Sequence, residues 1–123
     1  MNIDQIREHC LSKKAVTEEF PFNEDVLVFK VLGKMFLMAP LNQWEIGEAS
    51  ITVKCDPEYT VELRGEYESI FPGPYVSNKH WNTIAIYKRE VSPQFIFELI
   101  DHSYDMVVKG MSKKMKAELN SYN

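Results

Sequence analysis

The chain has 123 residues, a formal net charge of −4 and a sequence pI near 5.4, a length that suits one domain. Its 45% hydrophobic and 26% charged residues are an ordinary globular mixture, which argues against a disordered chain. No apolar run approaches the ~20 residues of a membrane-spanning helix, and Met1 leads into Asn2-Ile3-Asp4-Gln5 with no secretory signal, so a single cytoplasmic domain over residues 1–123 is expected.

The first helix is predicted over Ile3 to Ser12. Asn2 suits the N-cap, Gln5 completes a capping box, and Ile3, Ile6 and Cys10 share a face. Lys13 to Asp25 is polar and acidic and reads as a connection, folded onto the domain by Val16, Phe20 and Phe22. Val26 to Val31 is β-branched or aromatic and suits a strand. Leu32-Gly33 supplies a tight turn, and Lys34 to Leu41 returns as a second strand. Trp44 to Ala49 reads as a loop. Ser50 to Cys55 is a third strand, with Ile51 and Val53 on one face.

Asp56-Pro57 opens a second helix carrying Tyr59, Leu63 and Tyr67 on one side. Pro72-Gly73 predicts a type II turn, and Tyr75 to Ser77 a short strand. His80 to Tyr87 is a clearer strand. Trp81, Thr83, Ala85 and Tyr87 point one way; His80, Asn82, Ile84 and Ile86 point the other. Ser92-Pro93 caps a third helix reaching Lys109, with Gly110 as its stop and Phe95, Ile96, Leu99, Ile100, Met106 and Val107 as its buried stripe. A final short helix from Ser112 docks Met115 and Leu119. The order α-β-β-β-α-β-α implies an α+β two-layer sandwich, an antiparallel sheet with helices packed on one face.

Charge is uneven. Residues 1–61 hold six Lys/Arg against ten Asp/Glu, whereas residues 62–123 hold eight of each. Ser69 to Arg89 contains Lys79, Lys88 and Arg89 and no acid. Met106 to Ala117 contains Lys109, Lys113, Lys114 and Lys116 and no acid. Lys30 and Lys34 flank the first hairpin. In Asn78-Lys79-His80-Trp81-Asn82-Thr83, a lysine for phosphate, an asparagine for a base edge and a tryptophan for stacking stand together. The alternative is a strand whose Trp fills the core and whose polar neighbours satisfy turn groups.

Ser103 falls within the apolar stripe of the third helix, where its hydroxyl can bond the Leu99 carbonyl. His102 has Glu98 four residues before it and Asp105 three after, a setting for a surface imidazolium. His102 with Asp101 is the pair to test for general-base chemistry, but neither a nucleophile nor a metal set accompanies it. Cys10 and Cys55 lack C-x-x-C or zinc spacing and read as packed free thiols. The residues suggest no cofactor and no metal.

Several stretches together resemble the MmcQ/YjbR family: Glu18-Glu19-Phe20-Pro21-Phe22, Leu27-Val28-Phe29-Lys30-Val31, Gly33-Lys34-Met35-Phe36, Lys54-Cys55-Asp56-Pro57-Glu58, Lys79-His80-Trp81-Asn82-Thr83 and Asp101-His102-Ser103-Tyr104-Asp105-Met106-Val107. The resemblance implies a CyaY-like fold and DNA binding through a double-wing arrangement. Its wings would be the hairpin near Lys30 and Lys34 and the strand region from Tyr75 to Arg89. On that reading Lys30, Lys34, Lys79, Lys88 and Arg89 neutralise phosphates, His80 or Asn82 lies nearer the bases, and Lys113 and Lys114 add to the basic surface. The alternative is a non-enzymatic small-ligand or protein-binding domain using Tyr75 to Trp81.

Overall fold

A computed structural model describes residues 1–122. Helix α1 covers Ile3–Leu11, and both halves of the Asn2/Gln5 capping box are present. Three strands follow: β1 (Val16–Glu19), β2 (Val26–Val31) and β3 (Lys34–Pro40). A short helix α2 (Leu41–Glu45) leads to β4 (Ile51–Lys54) and helix α3 (Pro57–Glu66). Strands β5 (Ile70–Pro72) and β6 (Trp81–Ile84) precede a 3-10 turn at Ile86–Lys88. Helices α4 (Pro93–Lys109) and α5 (Lys113–Asn120) complete the chain.

The six strands form one antiparallel sheet in the order β1-β2-β3-β4-β6-β5. Helix α4 packs across β2, β3 and β4, α1 against β1 and α4, and α3 against β5. Opposed residues of an antiparallel ladder share a face. Leu27 opposite Ala39, Phe29 opposite Leu37 opposite Val53, and Ile51 opposite Ile84 opposite Ile70 all point into one buried cluster with Ile96, Leu99 and Ile100 of α4. The helices therefore cover one face, and the fold is α+β as the element order implied.

Four local expectations are corrected. Val16–Glu19 is an edge strand pairing with β2, not part of a connection; only Val16 is shielded, so its polar sequence shows no alternation. Phe20 and Phe22 do not fold onto the domain but are 50% and 64% exposed. Of the expected Trp44 to Ala49 loop, Trp44 and Glu45 instead end α2, with the Trp44 indole donating to the Ser50 carbonyl at 2.9 Å, and only residues 46–49 are non-helical.

The fourth concerns Pro72-Gly73. Gly73 lacks the positive φ of a type II turn; the turn falls at Pro74-Tyr75, with Tyr75 at φ 62°, so no strand forms there. Gly73 is needed for space instead, since a Cβ there would lie 2.8 Å from the Thr52 methyl. At the β2–β3 hairpin Leu32 and Gly33 are both left-handed, at φ 47° and 79°, as a tight primed turn requires.

Candidate functional site

The face of the sheet opposite the helices carries Val28, Met38, Thr52, Thr83 and Phe71, by the same register that sends their neighbours inward. At one end of this face Lys54 of β4 stands directly opposite Trp81 of β6. Lys30 opposes Met35 on the same face, two strands away. The antiparallel ladders bring the β2–β3 tip, the end of β4 and the start of β6 to one end of the sheet. Lys30, Lys54 and Lys79 are thereby gathered there beside the half-buried Trp81, while Lys34, opposite the buried Val31, stands at the same end on the helix-side face of the hairpin. Phe71 lies one row further along, 39% exposed. Lys34 and Lys79 are exposed and, like Lys54, make no ion pair among the described residues. Lys30 is partly neutralised, its Nζ 3.4 Å from Glu19.

The other expected contact residues do not join this cluster. Lys88 and Arg89 follow β6 at its far end, around the 3-10 turn. Lys113 and Lys114 open α5, whose Leu119 belongs to the helix-side core. His80 is half-buried beside the cluster. Its Nδ1 is buried without a hydrogen-bond partner, and its carbonyl accepts from the Cys55 N–H at 2.7 Å.

Asn82 is removed from the surface altogether. It is 1% exposed on the helix side, where its Oδ1 accepts from Arg64 Nε at 2.7 Å and its Nδ2 donates to Thr60 Oγ1 at 3.2 Å. Arg64 also donates to the Asn78 and Trp81 carbonyls. Asn82 thus helps hold the guanidinium that clamps the turn before β6, and a base contact is unavailable to it. Its alternation with Trp81 already placed it on the Ile84 side.

The Asp101 to Tyr104 stretch is likewise occupied by structure. Ser103, fully buried, donates to the Phe36 carbonyl and accepts from the Lys54 N–H at 2.9 Å, not from helix to helix as expected. A bulge shifts the β2–β3 register between Phe29 and Lys30, and the β3–β4 ladder runs only through Leu37 opposite Val53 and Met38 opposite Thr52. The Ser103 hydroxyl relays the next rung, so α4 is tied to both strands where Lys54 emerges. His102 is no surface imidazolium paired with carboxylates; its Nε2 accepts from the Asp56 N–H at 3.1 Å. That bond needs an unprotonated Nε2.

Asp101 Oδ1 lies 2.6 Å from both Lys13 Nζ and His9 Nε2. Burial works to raise the Asp101 carboxyl pKa, but the hydrogen bonds from Lys13 and His9 leave it below the usual value. The Tyr104 hydroxyl donates to the Lys14 carbonyl at 2.8 Å. Burial pushes the Cys10 thiol up to about 12 and raises Cys55 as well. No group of three or more metal-ligating side chains comes together among the described residues, and no helix there is long and apolar enough to cross a membrane.

Residues 11–106 match the YjbR family model. The chain belongs to the YjbR family. It is 33% identical over 96 residues to the uncharacterised protein YbdF of Escherichia coli O157:H7, covering 77% of this chain and 75% of that one. The crystal structure of Deinococcus radiodurans DR2400, described as a DUF419 domain, superposes with a TM-score of 0.87 at 34% identity, over 97% of this chain and 88% of that one. A Pseudomonas syringae protein, at 22% identity and a TM-score of 0.69 over 86% of this chain and 98% of its own, shares the fold. Within this YjbR domain, Lys54 and Phe71 are the surface residues that sequence reasoning passed over. Alternation in Ile51-Thr52-Val53-Lys54 was the available signal for Lys54.

Proposed function

We propose that this YjbR-family chain binds nucleic acid, single strands in preference to duplex, at the hairpin end of the sheet face opposite the helices. The observation that carries the reading is Lys54 beside Trp81 on that face, with Lys79 at the same end, Lys34 at the adjoining hairpin tip, and no acid paired to any of the three among the described residues. Lysines there supply phosphate contacts, while Trp81 and Phe71 offer π-faces on which successive bases stack. A duplex keeps its bases stacked on one another and would leave those rings unused, which supports the single-strand preference. Membership of the YjbR family is consistent with a nucleic-acid partner. The net charge of −4 works against long-range attraction, so binding should be weak and confined to the patch.

Three neutralised phosphates on a single strand give a slope of log K against log salt of about −2, or roughly a 20-fold loss between 50 and 200 mM salt. Titration of labelled oligothymidylate at those two salt concentrations tests this. Lys54→Ala should lower the slope by about 0.7, and Phe71→Ala should weaken binding by roughly 1–3 kcal/mol. Binding that is absent at low salt, or unaltered by both substitutions, overturns the reading.

A second reading takes Tyr75 to Trp81 as a protein- or ligand-docking loop, and the fully exposed Tyr75 ring supports it. In that case Tyr75→Ser abolishes partner binding, while oligothymidylate produces no saturable signal.

A further inference from the structure

At the other end of the sheet, away from Lys54 and Trp81, a groove of about 760 Å³ opens between α2, the 3-10 turn and the first residues of α1 and α4. Trp44, Ala49, Ile86, Tyr87 and Ile96 line an apolar floor, and Arg89 stands among them as the cation. This volume lies within the ~300–1,000 Å³ range of small-molecule sites.

Three observations bear on the occupant. Arg89 is held at φ 57°, a left-handed conformation that costs an L side chain energy and that glycine would adopt freely. Its guanidinium has no ion pair or side-chain hydrogen bond among the described residues. The groove is also bordered by Asn2 and Ile3 at the start of the nine-residue α1, and by Ser92 and Pro93 at the start of the 17-residue α4. Both helices thus present their electropositive ends to it. Glu45 is in the lining too and opposes a multiply charged anion.

We propose that this groove binds a small monocarboxylate with an apolar or aromatic body. The guanidinium fork takes the carboxylate in two parallel hydrogen bonds, and the two helix ends add to the positive potential around it. The chain of the acid lies on Trp44, Ile86 and Ile96. A phosphate monoester or nucleotide is disfavoured by Glu45, and a wholly apolar ligand would leave Arg89 unused. This site is independent of the nucleic-acid reading, because it shares no residue with the patch at the opposite end of the sheet.

The test titrates octanoate and 3-phenylpropionate into the full chain, with backbone amide NMR shifts as readout and octanamide and inorganic phosphate as comparisons. A ligand of this size in a half-open groove should saturate with a dissociation constant of about 1 mM or tighter. The affected amides should be those of Ala49, Ile86, Tyr87 and Ile96. Octanamide should bind about tenfold or more weakly, and Arg89→Gln should weaken octanoate to the same degree, the usual effect of losing a charge-assisted hydrogen bond. Ala49→Phe, which fills the floor, should abolish binding; circular dichroism checks that each variant is folded. Absence of saturation by either acid up to about 10 mM, well beyond that expected constant, overturns the proposal. Equal binding of octanoate and octanamide, shifts outside the groove, or a sedimenting dimer that Ala49→Phe dissociates also overturn it.

Discussion

Replacing Ser103 with alanine removes a single hydroxyl and strands two main-chain groups. The Phe36 carbonyl loses its donor and the Lys54 N–H loses its acceptor, at a site with 0% exposure. Each unsatisfied buried group costs ~1–3 kcal/mol, so the two together should destabilise the fold by about 2–6 kcal/mol. For a domain of this size that is a fall in Tm on the order of 10–20 °C. Urea unfolding followed by circular dichroism gives the free energy directly, with Ser77→Ala, an exposed position, as the neutral control. A hydroxyl bonded only to its own helix, as sequence spacing suggests for Ser103, would cost ~1 kcal/mol or less when removed. A loss under about 0.5 kcal/mol, within the range of ordinary surface substitutions, would refute the relay through Ser103.

Asn82→Leu should destabilise the chain by roughly 2–4 kcal/mol, because it deprives the Arg64 guanidinium of a charged hydrogen bond inside the helix layer; chemical denaturation measures it, and an unchanged midpoint would contradict the clamp. Cys10 and Cys55 should resist alkylation at neutral pH in the native chain and react fully once it is unfolded, since burial raises both thiols; mass spectrometry counts the adducts. Hydrogen bonding from the Ser69 hydroxyl and N–H lowers the Glu90 pKa, and hydrogen bonding from Arg7 lowers Glu18. Groups depressed in the folded state contribute stability that is complete above their unfolded values near 4.5 and is lost as pH falls through the folded ones. A Tm series from pH 6 to 3 should therefore decline mainly below about 4.5, and Glu90→Gln should flatten that decline.

Much of the fold was legible because its signals are local. Asn2 with Gln5, Asp56-Pro57 and Ser92-Pro93 each cap the helix that the sequence placed after them. Leu32-Gly33 sets the hairpin, and alternation along Trp81 to Ile84 sorts that strand correctly onto two faces. The edge strand Val16–Glu19 was hidden because only Val16 is shielded, so its remaining polar residues show no alternation.

Partners distant in sequence were equally out of reach. Ser103 and Phe36 are 67 residues apart, and nothing near Ser103 identifies the carbonyl it serves. The same blindness affected the site. Local charge runs group Lys79 with Lys88 and Arg89, but one strand separates them and sends the latter two to the far end of the sheet. Lys54 joins Lys34 and Lys79 only through strand pairing. The groove around Arg89 draws its walls from several separate elements, so no contiguous motif could announce it.

The most direct measurement is the map of amide chemical-shift changes when oligothymidylate is added at low salt. The account predicts shifts at Lys54, Phe71, Lys79 and Trp81, with Lys88, Arg89, Lys113 and Lys114 unmoved. Shifts confined to those last four residues, or none at saturating oligonucleotide, would contradict it.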